Sequence, residues 1–237
     1  EHLHTLFDEV VSVGHHDFSE PARNITFFAN ILGEGRLPEE KARDFLNRTE
    51  IAGQRLQKLI RDLTRYARVW LRPCPEEIIS PDAFSEIMKA AFSNASARLN
   101  QRFQPPVLSG RQARFDIPKR FLERILEELF ANGLEHHDHD HGPLEIHITT
   151  NSTPNRIELS IRDKGPGIQL PSGVSLFRPF YRNERTDELR TGIGLALVKA
   201  LTERAGGAIE LHQRENSERA DLRLILPGEI QGKSSPI

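Results

Sequence analysis

Four short stretches of this sequence combine residue types that can do chemistry on phosphate. The first is His15-His16-Asp17-Phe18-Ser19-Glu20-Pro21. An imidazole with one unprotonated ring nitrogen is a nucleophile toward phosphorus, and an adjacent carboxylate can fix its tautomer and accept the other proton. Proline inside a helix costs about 3 kcal/mol. Pro21 therefore predicts a local bend that lifts the imidazole to solvent, although a plain surface His pair on a kinked helix has the same signature. The second stretch is Glu127-Glu128-Leu129-Phe130-Ala131-Asn132-Gly133. Glu128 and Asn132 fall one helical turn apart on one face. The amide oxygen of Asn132 is a hard ligand suited to Mg²⁺ that also holds phosphate oxygens, while an ordinary polar helix face reads the same way. The third, Asp163-Lys164-Gly165-Pro166-Gly167-Ile168, follows a strand pattern. Its carboxylate can accept a hydrogen bond from an exocyclic amine such as that of adenine, and Gly165 and Gly167 permit close approach to a planar ring or a simple sharp turn. The fourth, Thr191-Gly192-Ile193-Gly194-Leu195-Ala196, leads into a helix. Glycines there offer free N–H groups and a positive dipole end to phosphate, or mark no more than a helix start.

The elements that must position these residues fall into two groups. Up to Leu71 the pattern is helical. Phe45, Thr49, Ala52, Leu56, Leu59, Leu63, Tyr66 and Trp70 recur at alternating spacings of four and three, an a/d seam held for more than three heptads. Leu3, Phe7, Val10, Gly14, Phe18, Ala22, Ile25, Phe28 or Ala29, and Leu32 form a similar stripe, disturbed around His15, His16 and Pro21. The turn Gly33–Pro38 is short enough to fold the two helices into an antiparallel hairpin. Two helices leave their seams half covered, so a second copy completing a four-helix bundle is expected; a coiled-coil spacer has the same periodicity. Arg72-Pro73-Cys74-Pro75 interrupts the helix. Beyond it helices and strands alternate. Strands are predicted at Glu77–Ser80, within Gln104–Asp116, around Ile146 and Leu159, and in a last hairpin around Leu211 and Leu224. Helices are predicted at Pro81–Asn100, Pro118–Leu134 and Gly192–Ala205. The sheet should have one covered face, giving helices layered on a mixed sheet, an α+β sandwich. The expected division is 1–71 hairpin, 72–76 linker, 77–228 second domain and 229–237 tail.

Composition narrows the possible functions. The 237 residues carry 32 Lys and Arg against 34 Asp and Glu, a net charge of −2, which offers no global basic field for nucleic acid. The lone cysteine excludes an internal disulfide framework and suits a reducing, cytoplasmic setting. No run of about 18 apolar residues predicts a membrane span. The first residue is Glu1 and no signal-like segment follows, so the chain is expected to be part of a longer protein.

Taken in order, the four stretches resemble a sensor histidine kinase of the two-component systems, over about Leu3 to Pro227. His16-Asp17-Phe18-Ser19-Glu20-Pro21 resembles the H box, Asn132 the N-box asparagine and Asp163-Lys164-Gly165-Pro166-Gly167 the G1 box. Leu176-Phe177-Arg178-Pro179-Phe180 is similar to the F box, and Thr191-Gly192-Ile193-Gly194-Leu195 to the G2 box. The His-Asp form and the short stretch before Thr191 are most similar to kinase modules that follow phytochrome-type sensors. The resemblance implies a homodimeric phosphotransfer hairpin joined to an ATP-binding domain of the Bergerat fold, with ATP and Mg²⁺ as cofactors. It implies a phosphoprotein labelled on His16 with Asp17 as the adjacent acid, and a response-regulator receiver domain and an upstream sensory domain as partners. Asn132 would hold Mg²⁺, Asp163 would bind adenine, and Gly192 and Gly194 would shape the lid over 181–190. Lid residues Arg182, Arg185 and Arg190 would reach phosphates.

The sequence departs from the family pattern at four places. Glu128 occupies an N-box position that is usually Asn; it looks instead like the general base of the wider Bergerat ATPases. Glu135 removes a phosphate-facing cation, and Arg190 replaces the first G2 glycine. Weak nucleotide binding and slow autophosphorylation are therefore expected, and a degenerate scaffold is the alternative function. Glu20 stands where strong phosphatases of the family carry Thr or Asn, so weak phosphatase activity is expected. The run His136-His137-Asp138-His139-Asp140-His141 has ligands suited to Zn²⁺ or Ni²⁺, or is a solvated loop.

Overall fold

The computed structural model describes residues 2–35, 37–71, 73–136, 142–150, 153–163, 170, 174–182, 191–212 and 221–231. The chain forms two compact units, one of Glu1–Leu71 with Phe177–Ala196, the other of Arg72–Leu176 with Leu197–Ile237.

The first unit is built on α1 (His2–Gly33) and α2 (Glu39–Leu71). Helix α1 continues through Pro21, which has no N–H to offer the Asp17 carbonyl four residues back. Glu39 and Glu40 lie in the first turn of α2 and Arg68 in its last, the charge order favoured by the helix dipole. Between the helices Gly35 takes φ 67°, a left-handed conformation that costs glycine nothing. Ala52, Leu59 and Tyr66 are buried at heptad spacing, and Phe28 stacks on Phe45 with centroids 5.3 Å apart. At the end of the stripe Val69 is buried and Trp70 only half-buried. A straight α-helix drifts by about 20° per heptad from a 3.5-residue repeat, enough to move the seam by one position over this length.

In the second unit a seven-stranded sheet runs in the order β1-β3-β7-β5-β4-β2, with β6 also paired to β7. The strands are β1 (Ile78–Ile79), β2 (Val107–Gly110), β3 (Ala113–Asp116), β4 (Glu145–Thr150), β5 (Arg156–Arg162), β6 (Ala208–His212) and β7 (Asp221–Ile230). Among the described residues only β2 and β4 pair in parallel. Helices α3 (Pro81–Arg98) and α4 (Lys119–His136) supply the apolar cover. The side chain of Ser80 caps α3 by accepting from the Ala83 N–H at 3.3 Å, with Pro81 in the first turn. Ile157, Leu159 and Ile161 of β5 and Leu222, Leu224 and Leu226 of β7 are buried, as are Leu122, Ile125, Leu126 and Leu129 of α4. Phe84 stacks on Phe115 at 4.8 Å, and Phe92 meets Phe130 edge-on at 5.7 Å. The alternate residues of β5 and of the start of β7 are polar: Arg223 pairs with Asp221 at 3.0 Å and with Glu158 at 3.7 Å. This is an α+β sandwich with one covered sheet face. Strand β7 continues to Ile230, beyond the expected boundary at 228. Gly228 permits this, because a Cβ there would run into the Arg114 carbonyl of β3.

Candidate active site

The sequence-derived site residues divide between the two units. In the second, α4 carries Glu128 and Asn132. Glu128 is buried at 8% exposure, and its Oε1 accepts from Arg98 Nη1 of α3 at 3.3 Å and from Arg124 Nη2 one turn back on α4. Glu127 extends this tie, accepting from Asn94 at 2.7 Å and Arg124 at 2.9 Å. Asn132, one turn beyond Glu128, is half-buried. Gly133 next to it lets Leu144 come close, since a Cβ would meet both Leu144 methyl carbons at 3.3 Å. Asp163 directly follows β5 and is buried. A strand end places its carboxylate at the rim of the sheet, the place where a fold can present it to a ligand.

In the first unit His16 lies within α1, and Asp17 beside it is buried at 8% exposure. Asp17 Oδ1 accepts from Arg182 Nη2 at 3.0 Å and lies 3.7 Å from Arg55 Nη2 of α2; the same Arg55 nitrogen is 3.2 Å from Glu20. Phe180 is buried and meets Phe18 edge-on at 6.2 Å. Phe177 is half-buried. Thr191 is buried and donates through Oγ1 to Asp62 Oδ2 of α2 at 2.7 Å. Gly192 takes φ 68° and lies against the backbone of Phe180 and Tyr181. It precedes α5 (Gly194–Arg204) instead of opening it, so the expected helix start at Gly192 moves to Gly194; the left-handed φ is incompatible with the first helical turn. Leu195 follows in that turn. Gly165, Gly167, Arg185 and Arg190 lie outside the described residues, as do residues 137–141 of the histidine-rich run.

The second unit has recognisable relatives. Residues 118–230 match the family described as histidine kinase-, DNA gyrase B- and HSP90-like ATPase. The chain is 24% identical over 237 residues to the sensor protein kinase WalK of Staphylococcus aureus, covering 94% of this chain and 54% of that protein. It is 32% identical over 104 residues to the sensor histidine kinase YvrG of Bacillus subtilis, covering 43% of this chain and 17% of that one. Residues 118–230 carry an ATPase domain of that family, and the chain is similar to sensor histidine kinases. The solved structure of the Acinetobacter baumannii histidine kinase AdeS shares its fold, with a TM-score of 0.59 and 22% identity over 90% of this chain and 97% of that one. The chain thus spans about half the length, or less, of these curated relatives.

Four contact residues escaped the sequence reading: Arg55, Asp62, Arg98 and Arg124. Arg124 was within reach, because it stands one helical turn before Glu128. Arg55, Asp62 and Arg98 carry no local signal. Their partners Asp17, Thr191 and Glu128 are 30 or more residues distant in the chain and are brought together by packing. No helix among the described residues is long and apolar enough to cross a membrane.

Proposed function

We propose that this protein phosphorylates itself on His16 from ATP and passes the phosphoryl group to an aspartate of a response-regulator receiver domain. The observation that carries this reading is the pairing of two parts on one chain. One is a helical hairpin whose first helix holds His16 beside the buried carboxylate of Asp17; the other is a domain of an ATPase family.

The chemistry balances with the groups present. A ring nitrogen of His16 attacks the γ-phosphorus, an N–P bond forms, and the P–O bond to ADP breaks with its electron pair leaving on the ADP oxygen. The other ring nitrogen gives its proton to Asp17. In the second step a receiver carboxylate oxygen forms the new P–O bond and the N–P bond breaks, returning the electron pair to His16 while its other ring nitrogen takes the proton back from Asp17. The residue types suit the nucleotide: the Asp163 carboxylate suits the adenine amine, the amide of Asn132 suits Mg²⁺, and by the family pattern Thr191, Gly192, Gly194 and Leu195 would lie near the phosphates. Phe177 and Phe180 anchor the segment that carries Arg182, and Arg182 and Arg185 supply cations for the γ-phosphate. Mg²⁺ would offset the negative charge on the phosphate oxygens. The working unit is a homodimer in the cytoplasm, coupled to an upstream sensory domain.

Incubation with γ-labelled ATP and Mg²⁺ tests this directly. Acid-labile, alkali-stable label should appear on the protein and be absent from His16→Gln. One observation favours a second reading, a degenerate core acting as a dimeric scaffold: Glu128, the position for a general base, has Oε1 occupied by two guanidinium groups. Absence of label in the wild type would select that reading, and release of free phosphate without label would select a plain ATPase.

A further inference from the structure

We propose that Arg55 is a positioning residue for the phosphoacceptor, acting through Asp17. This inference rests on the histidine-kinase reading above and adds a residue of α2 that the H-box pattern does not contain.

Asp17 and Glu20 are three residues apart on α1, so their carboxylates share one helix face and repel each other. Arg55 reaches across from α2 and places Nη2 3.7 Å from Asp17 and 3.2 Å from Glu20. Its side chain is 12% exposed and that of Asp17 11%, so the attraction is only weakly screened by solvent. The guanidinium is not fully used, because among the described residues its buried Nε has no hydrogen-bond partner. A buried arginine kept with a donor to spare is a poor device for stability alone. Its position opposite the acid beside His16 offers a different reason for its presence.

Arg55 and Arg182 converge on the same oxygen, Asp17 Oδ1. They are not equivalent. Arg182 follows the buried Phe180 on a separate segment and is a cation that a phosphate group can draw away. Arg55 stands one turn before the fully buried Leu59 on a helix packed against α1, so it stays when Arg182 leaves. Arg55 therefore holds the Asp17 carboxylate in one rotamer beside His16 and spares it the repulsion of Glu20 during the step in which it must accept a proton.

The test uses the whole chain and four variants: Arg55→Ala, Arg55→Lys, Asp17→Asn and the double variant Arg55→Ala/Asp17→Asn. Exposed Arg43→Ala, which among the described residues loses its pair with Glu39, serves as the control. His16 labelling is followed with two phosphoryl donors, ATP with Mg²⁺ and potassium phosphoramidate, which needs no nucleotide site. Arg55→Ala should lower kcat for labelling by about 10- to 100-fold, part of the ~10²–10⁴ that a positioned acid or base supplies. KM for ATP should not move, and Arg55→Lys should recover part of the rate. In the Asp17→Asn background, removing Arg55 should have no further effect. A wild-type rate in Arg55→Ala, a rise in KM with kcat unchanged, or losses that multiply in the double variant would overturn the proposal. Should Arg55→Ala lose its helical signal, Arg55→Lys decides: a folded Lys variant with no more activity than Asp17→Asn also counts against it. If ATP gives no label while phosphoramidate labels His16, the kinase reading fails, and the phosphoramidate rates still decide the role of Arg55.

Discussion

Gly192 stands at φ 68°, and a Cβ there would lie 2.6 Å from the Phe180 carbonyl carbon and 2.6 Å from the Tyr181 oxygen. Both atoms are backbone, so no side chain can swing aside to make room. The left-handed conformation costs an L-residue about 1–2 kcal/mol before any overlap is counted. Gly192→Ala should therefore displace Phe180 and loosen the segment that leads into α5. Since 1.4 kcal/mol is tenfold in a binding constant, a fluorescent ATP analogue should bind about tenfold more weakly or worse to Gly192→Ala; undiminished affinity would mean that the segment relaxes without consequence. That a glycine pair before a helix matters was legible in Thr191-Gly192-Ile193-Gly194. Which glycine opens the helix was not, because the sign of φ at Gly192 is set by the approach of Phe180. Asp17 shows the same limit. Its place beside His16 is written in the sequence, but the two arginines on its Oδ1 come from positions 55 and 182.

Between elements, the polar tie of α3 to α4 has the clearest consequence. Glu128 is the hub, and two guanidinium groups depend on it. Glu128→Ala would leave Arg98 without this partner at a half-exposed position and Arg124 with Glu127 alone. Unpairing such groups costs about 1–3 kcal/mol. Urea unfolding of Glu128→Ala should give an unfolding free energy lower by that amount, seen as a lower midpoint at unchanged slope. Arg98→Ala should lose less, because the Arg98 side chain is 39% exposed and the Arg124 pair survives. Equal stability of Glu128→Ala and wild type would remove the structural role and return Glu128 to the nucleotide site. The two helices themselves were legible, since the apolar stripes at Phe84–Ala95 and Phe121–Phe130 follow the 3.6-residue period and both are buried. Their mutual register was not. It is fixed by Asn94–Glu127 and Arg98–Glu128, contacts over 33 and 30 residues that leave no periodic trace. The length of β7 was missed for a related reason: Gly228 and Pro227 look like a strand end until β3 is placed beside them.

For the molecule as a whole, the change of pattern at Arg72 announces two parts, whereas the membership of Phe177–Ala196 could be found only in three dimensions. That segment lies between two stretches of the sheet domain in sequence yet groups with the hairpin, through Phe18–Phe180, Asp17–Arg182 and Asp62–Thr191. The hairpin also carries a surface that its own two helices leave open. Leu46 and Ile60 are 59% and 53% exposed, and they belong to a stripe Leu46, Gly53, Ile60, Ala67 at a spacing of seven, one position beyond the intrachain seam. A Cβ added at Gly53 would meet nothing within 4 Å, so this face has room for close approach. On α1 Phe27 is likewise exposed, at 59%. Large apolar residues repeating at heptad spacing on a solvent face are what a second hairpin would cover in a four-helix bundle. A two-fold interface uses each residue twice. Burying one isoleucine is worth about 2 kcal/mol, so losing two weakens the dimer by about 4 kcal/mol, roughly a thousandfold in its dissociation constant. Ile60→Asp adds a desolvated charge on each side and should separate the protomers outright. Light scattering across a dilution series should give a dimer mass for the wild type and a monomer mass for Ile60→Asp, with the helical signal of the hairpin reduced as its seam loses cover. A monomeric wild type, or a dimer indifferent to Ile60→Asp, would place the contact elsewhere and leave the stripe unexplained.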